Sequence, residues 1–201
     1  MSWVDDFTTD YFTSVYTTFT GPPDSLSPHA LTTNAGDSLI WLDERNAQLP
    51  LFDVEADVVA GGSEPAICVF GCITTDLRNG FYAGPSSEYE GYLIAVTDVS
   101  DLDEGIISYG TAAYPDGDFT IKVTMTAAGL LTLAFGANTF TATVTDALMA
   151  ALAARTLYPI GYVNAGEAPV VISEWRYGGG AASSVSVGAI TSGVRKRGVR
   201  A

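Results

Sequence analysis

The chain has 201 residues, 47% of them hydrophobic and 16% charged, with 23 acidic side chains against 9 Lys and Arg for a net charge of −14. That apolar content excludes general disorder, and the length accommodates one sizeable core, so a single domain is expected. The acidic balance excludes nucleic acid as a partner of the whole protein, because phosphates would be repelled.

The opening Met1-Ser-Trp-Val-Asp-Asp-Phe7 has neither a basic n-region nor an apolar h-region and reads as no secretory signal. No apolar run approaches the roughly 18–20 residues of a membrane span, so no membrane partner is expected. Residues 20–30 hold three prolines and read as an early loop. His29, the one histidine, lies there, and the chain has no nucleophile elbow or phosphate-cradling glycine loop.

Residues 38–42 predict a strand, and 51–59 predict the clearest one. There Phe52, Val54, Ala56 and Val58 alternate with Asp53, Glu55 and Asp57, giving one dry face and one wet face. A further strand over 66–75 puts Cys68 and Cys72 on one side, about 13 Å apart at ~3.3 Å per residue. That separation is too long for a disulfide unless Gly71 bends the chain, so buried free thiols are expected; a metal site would need more Cys or His than His29. Tyrosines and Phe81 then gather in what read as loops and strand ends: Tyr82, Tyr89, Tyr92, Tyr109 and Tyr114.

Strands over 91–97 and 105–109 flank an acid-rich loop in which Asp98, Asp101 and Asp103 are candidate calcium ligands. Their spacing is not that of an EF-hand, and an ordinary solvated turn is the competing reading. After a tight turn at 115–118, runs at 119–126, 130–135 and 139–145 are joined by short glycine-bearing turns and predict an antiparallel meander. Residues 146–155 predict the one helix, capped by Asp146, with Leu148, Met149 and Leu152 on one side and Pro159 beyond its end, crossing one end of the body. Strands over 158–163 and 170–177 complete nine or ten, the arrangement of an all-β, two-sheet antiparallel sandwich.

The run 178–180 is all glycine and marks a boundary between a body, 1–177, and a basic C-terminal arm, 178–201. Residues 1–174 carry 4 basic against 23 acidic side chains, net −19, while 175–201 carry +5. The arm has no aromatic residue and too little apolar surface to offset its own ordering entropy. Its Arg195, Lys196, Arg197 and Arg200 are therefore expected to bind an acidic surface of the same or a neighbouring protein copy.

The order of these features resembles a family. Asp5-Asp-Phe7 opens the chain, Phe-x-Val-Glu-Ala-Asp-Val stands at 52–58, and Phe-Thr-Ile-Lys-Val from residue 119 leads into the meander. A Gly161-bearing strand follows, then a closing Ile172-Ser-Glu-Trp-Arg-Tyr177 able to pair beside the first strand. This order is similar to that of the concanavalin A-like (laminin-G-like) jelly-roll modules of tailed-bacteriophage virion proteins.

The resemblance implies a jelly-roll sandwich, assembled in the host cytoplasm, that binds other virion proteins, copies of itself and host-surface glycans, most often in a minor tail or tail-tip protein. A head decoration protein whose arm staples capsid subunits, and a glycoside hydrolase, are the alternatives. In a glycan site Tyr82, Tyr89 and Tyr114 would stack on sugar rings, with Asp76 and Asn79 accepting hydroxyl protons; a protein interface would use the same tyrosines. Glycosidases of this fold carry alternating strand acids in a Glu-x-Asp-x-Glu pattern. Asp53, Glu55 and Asp57 run in the opposite order without a nearby tryptophan cleft, so a solvated outer face and no enzyme activity are expected. Calcium, at Asp98, Asp101 and Asp103, is the one cofactor the sequence suggests.

Overall fold

The computed structural model describes residues 2–5, 7, 16–18, 25–27, 30–44, 52–59, 65–98, 105–115, 117–167 and 169–179. In chain order these form β1 (Ser2–Asp5), β2 (Tyr16–Thr18), β3 (Ser25–Ser27), β4 (Ala30–Thr33), β5 (Ser38–Asp43), β6 (Phe52–Val59), β7 (Ile67–Ile73) and β8 (Asn79–Ser86). A one-turn 3-10 helix (Ser87–Tyr89) leads to β9 (Gly91–Asp98), β10 (Ile106–Thr111), β11 (Phe119–Met125), β12 (Leu130–Phe135) and β13 (Asn138–Thr143). Helix α1 (Asp146–Ala153), β14 (Tyr158–Asn164) and β15 (Val170–Gly179) follow.

The strands pair antiparallel in two sheets. One has the order β13-β12-β11-β6-β15-β4-β3, with β1 also paired to β15; the other has the order β10-β9-β8-β7-β14-β5-β2. The expected meander is β11-β12-β13, turned at Gly129 (φ 73°) and Gly136 (φ 54°), a backbone region costly for residues with a Cβ. The closing strand β15 lies between β6 and β1, pairing Arg176 with Glu55 on one side and with Val4 on the other.

Alternation places Val54, Ala56, Val58, Ile121, Val123, Leu131 and Leu133 of the eight-stranded sheet in the core, facing Leu39, Trp41, Cys68, Phe70, Phe81, Ile94 and Val163 of the seven-stranded sheet. Trp41 and Trp175 meet edge-to-face across the middle, ring centroids 5.5 Å apart. Gly161 is glycine because the Trp41 indole occupies the place of its side chain: a Cβ there would lie 2.1 Å from the ring. Tyr177 Oη donates to the buried Asp43 Oδ2 at 2.7 Å, tying β15 to β5 across the sandwich. Cys68 and Cys72 are free and fully buried in this core; burial pushes the Cys68 thiol up to about 12 and Cys72 in the same direction.

Three local readings change. Thr145, not Asp146, caps α1: its backbone is extended and its Oγ1 accepts from Leu148 N at 3.3 Å. Asp146 is instead the first helical residue, where a carboxylate is favoured by the helix dipole. β8 fell among residues read as loop, because Asn79-Gly-Phe-Tyr-Ala-Gly-Pro-Ser86 carries two glycines and a proline, yet it is a fully buried strand between β7 and β9. Finally, β15 continues through Gly178 and Gly179, which pair with Asp53 and Phe52, so two of the three glycines belong to the sheet.

Candidate functional site

The outer faces of the two sheets differ in chemistry. On the eight-stranded sheet, the polar phase of β6, β11 and β15 forms a closed charge network. Lys122 Nζ reaches Glu55 at 2.5 Å and Asp53 at 3.4 Å. Arg176 binds Asp57 at 2.9 Å and Glu55 at 3.3 Å and also pairs with Glu174, while Thr120 Oγ1 donates to Asp57 at 2.6 Å. The Lys122 hydrogen bond holds Glu55 below the usual carboxylate range. Partial burial would raise Asp57, but hydrogen bonds from Arg176 and Thr120 outweigh it and lower its pKa. Lowered pKa values keep Glu55 and Asp57 ionised, and their ion pairs with Lys122 and Arg176 lie on the outer face expected of them.

On the seven-stranded sheet the outer face is apolar. Val69, Tyr82, Leu93 and Ala95 form one buried cluster with Ile67, Tyr89, Ile106 and Tyr162 packed against it, and Leu42, Ile73 and Ile160 form a second with Ile40, Leu77 and Tyr158. Strand registers set these residues side by side: Tyr82 opposite Ala95 and Gly71, Tyr162 opposite Val69 and Ile40. Gly71, Gly80 and Gly84 share this face by alternation. A Cβ on any of them would come within 2.0–2.1 Å of a carbonyl oxygen of the facing strand, so β7 and β8 close together only with no side chain at these positions.

Between the two clusters lies a pocket of about 310 Å³, open solvent included, lined by Ile40, Val69, Ile73, Leu77, Tyr82, Ile160 and Tyr162. Leu77 enters it from the β7–β8 turn with φ 59°, a left-handed conformation that a leucine adopts only where its surroundings hold it. Small-molecule sites are commonly concave and mostly apolar with a few polar tips, and tyrosine supplies both parts in one side chain.

The candidate glycan residues divide. Tyr82 and Tyr89 are together on this outer face, and the Tyr89 ring meets the 61%-exposed Tyr109 edge-on, 6.1 Å between centroids. Tyr114 lies elsewhere: it packs edge-on against Phe119, 5.1 Å between centroids, at the margin of the main core. Asp76 is exposed at the tip of the β7–β8 turn, where Thr74 Oγ1 and Arg78 N donate to it and lower its pKa. Asn79 is buried at the base of that turn, where its backbone oxygen accepts from Thr74 N at 2.8 Å and its backbone N–H donates to Thr74 Oγ1 at 3.1 Å.

Asn79 is also the cross-strand partner of Asp98, so the acid-rich loop leaves β9 beside the turn bearing Asp76. Asp101 and Asp103, the Asp98 side chain, and Arg195, Lys196, Arg197 and Arg200 lie outside the described residues. Among the described residues no group of three or more His, Cys, Asp or Glu can hold a metal ion. Tyr158, Tyr162 and Ile40 complete the face and were not singled out from sequence. Part of the signal was present: Ile40 stands in the unbroken apolar run 39–42, and 93–96 is another, the pattern of strands covered on both faces, while Tyr158 and Tyr162 stand in neither.

These two sheets and the connector helix define the class: the fold is the concanavalin A-like jelly roll. The VIP36 exoplasmic/lumenal domain in its Ca2+/Man3GlcNAc-bound form is similar, with a TM-score of 0.60 at 10% identity over 88% of this chain and 90% of that one. The Emp46p carbohydrate recognition domain, potassium-bound, gives 0.61 at 13% identity over 86% and 94%. The apo Crh5 transglycosylase gives 0.59 at 13% identity over 89% and 84%. No family model matches the sequence, and no curated protein matches it significantly.

Proposed function

We propose that this chain is a non-catalytic recognition module of a tailed-bacteriophage virion, a minor tail or tail-tip component that binds glycans through the outer face of its seven-stranded sheet. The observation that carries the reading is that face, with Tyr82 and Tyr162 lining an apolar pocket, Tyr89 and Tyr109 paired on the same face, and Asp76 in the turn that brings Leu77 into the pocket. Tyrosine faces stack on the C–H side of pyranose rings, and a carboxylate at the margin accepts sugar hydroxyls. The mannose-bound and Man3GlcNAc-bound VIP36 domains, proteins of the same fold, support a glycan as the ligand class. Virion placement is supported by element order and by the division of charge between body and C-terminal segment.

The similarity to a transglycosylase raises a second reading, hydrolysis or transfer at Glu55. Against it stand the ion pairs that hold Asp53, Glu55 and Asp57 on the face away from the pocket. Purified protein applied to an array of bacterial-surface and mannose-containing glycans is expected to bind a subset, with no new reducing ends formed. Binding to none overturns the glycan reading, and turnover that disappears in Glu55→Gln replaces it with the enzymatic one. Labelled protein is expected at the tail of purified particles; label on heads would make it a decoration protein, and label on neither would overturn the virion assignment.

A further inference from the structure

The eight-stranded sheet ends in β13, which pairs with β12 on one side and with no strand on the other among the described residues. In an antiparallel strand alternate residues turn their N–H and C=O away from the partner, so such an edge offers a ready ladder to another chain. Edges are ordinarily blunted by shortness, a bulge, a charge or a proline. The other edges here follow that rule: β1, β2 and β3 have four residues or fewer, and β10 is bulged between Ile106 and Ser108.

β13 does not. It holds six residues, Asn138-Thr-Phe-Thr-Ala-Thr143, in unbroken register with β12, and has no charge and no proline. Phe140 and Ala142 turn inward and are only partly covered, Phe140 stacking on Tyr92 at 3.7 Å, while Thr139, Thr141 and Thr143 are exposed on the outer side.

The chain carries a segment with the matching pattern. Val185, Val187 and Ala189 alternate with Ser184, Ser186 and Gly188, the period of a strand with one apolar side. Geometry decides whose segment it is. Across the sheet, Gly179 is level with Phe52, Met125, Leu131 and finally Ala142. A strand added beyond β13 lies five steps from β15, about 24 Å at ~4.8 Å per step. Fully extended chain from Gly179 to Val185 covers at most about 22 Å, so the same chain reaches this edge only when drawn taut and with Val185 used up in the span, whereas a second copy brings all of 184–190 to it.

We propose that β13 is the docking edge for residues 184–190 of a second copy of this chain, added as a further strand whose Val185, Val187 and Ala189 cover Phe140 and Ala142. The inference rests on reading residues 181–201 as an anchor. It is tested on purified protein without particles or glycans, so its failure is distinct from a failure of either proposed role.

Sedimentation of the full chain over a range of concentrations is expected to show self-association, weakened at least tenfold in Val187→Pro, which removes a backbone donor outside the sandwich. Thr141→Cys protein mixed with Ser184→Cys or Ser186→Cys protein is expected to give a disulfide between copies; buried Cys68 and Cys72 do not compete. A chain that stays monomeric, or association unchanged by Val187→Pro, overturns the proposal. Thr141→Cys linking to itself while Val187→Pro still associates assigns the edge to β13 pairing with β13. A Thr141→Cys, Ser186→Cys double variant that closes within one chain at low concentration assigns it to the chain's own segment.

Discussion

Tyr89 and Tyr114 are both half-buried tyrosines outside the strands, and their neighbours assign them opposite behaviour. Tyr89 stands beside exposed Tyr109 on the apolar outer face, whereas Tyr114 wedges against Phe119 at the margin of the main core. An aromatic pair contributes about 0.5–1.5 kcal/mol beyond its area, and truncating a buried aromatic costs about 3–5 kcal/mol. Tyr114→Ala is therefore expected to lower the melting temperature and leave glycan binding unchanged. Tyr89→Ala is expected to weaken binding on the same array with the melting temperature nearly unchanged; the reverse pattern would move the ligand surface from the sheet face to the β10–β11 connection. Tyr82, 8% exposed and lining the pocket, is expected to lose both when truncated.

Among the elements, β6, β11 and β15 were legible because one face is wet: a period of two survives only where polar residues mark the outside. β8 was not, since Gly80, Gly84 and Pro85 are local breakers, and the reason for the two glycines is a tertiary one, the close approach of β7 and β8. The same cause hid half of the candidate face. Tyr82 and Tyr89 were visible as aromatic residues, but Ile40, Tyr158 and Tyr162 come together through the registers of β14 with β5 and β7, and no local sequence encodes those.

Gly84→Ala, with its Cβ 2.0 Å from Cys68 O, is expected to destabilise by about 1–3 kcal/mol or more in urea titration. The wet face gives the acid response. Glu55 and Asp57 have depressed pKa values in the folded state, so their contribution is complete above the unfolded values of about 4.3 and 3.9 and is lost as pH falls through the folded ones. Urea midpoints are expected to fall between about pH 5 and pH 2, and Arg176→Met is expected to flatten that limb; an unchanged slope would mean the network does not hold these acids.

At the scale of the whole molecule, the sandwich presents a charged face, an apolar tyrosine-bearing face and one open edge, and its strand pairing among the described residues closes with β15 at Gly179. Residues 181–201 add four cations to a body of opposite sign and lie beyond that closure. Deleting them is expected to leave a folded protein whose melting temperature and glycan binding match the full chain, because the core built by the described residues is kept whole. Particle incorporation is expected to be lost. Exposed ion pairs are individually worth about 0–1 kcal/mol and are screened within about 8–10 Å at physiological salt, so Arg195, Lys196, Arg197 and Arg200 supply selectivity more than hold. Reversing those four charges while keeping 184–190 intact is accordingly expected to weaken incorporation chiefly at moderate salt, less than the deletion does. Normal incorporation of the truncated chain would show that the body alone attaches to the particle and that the basic segment serves another purpose.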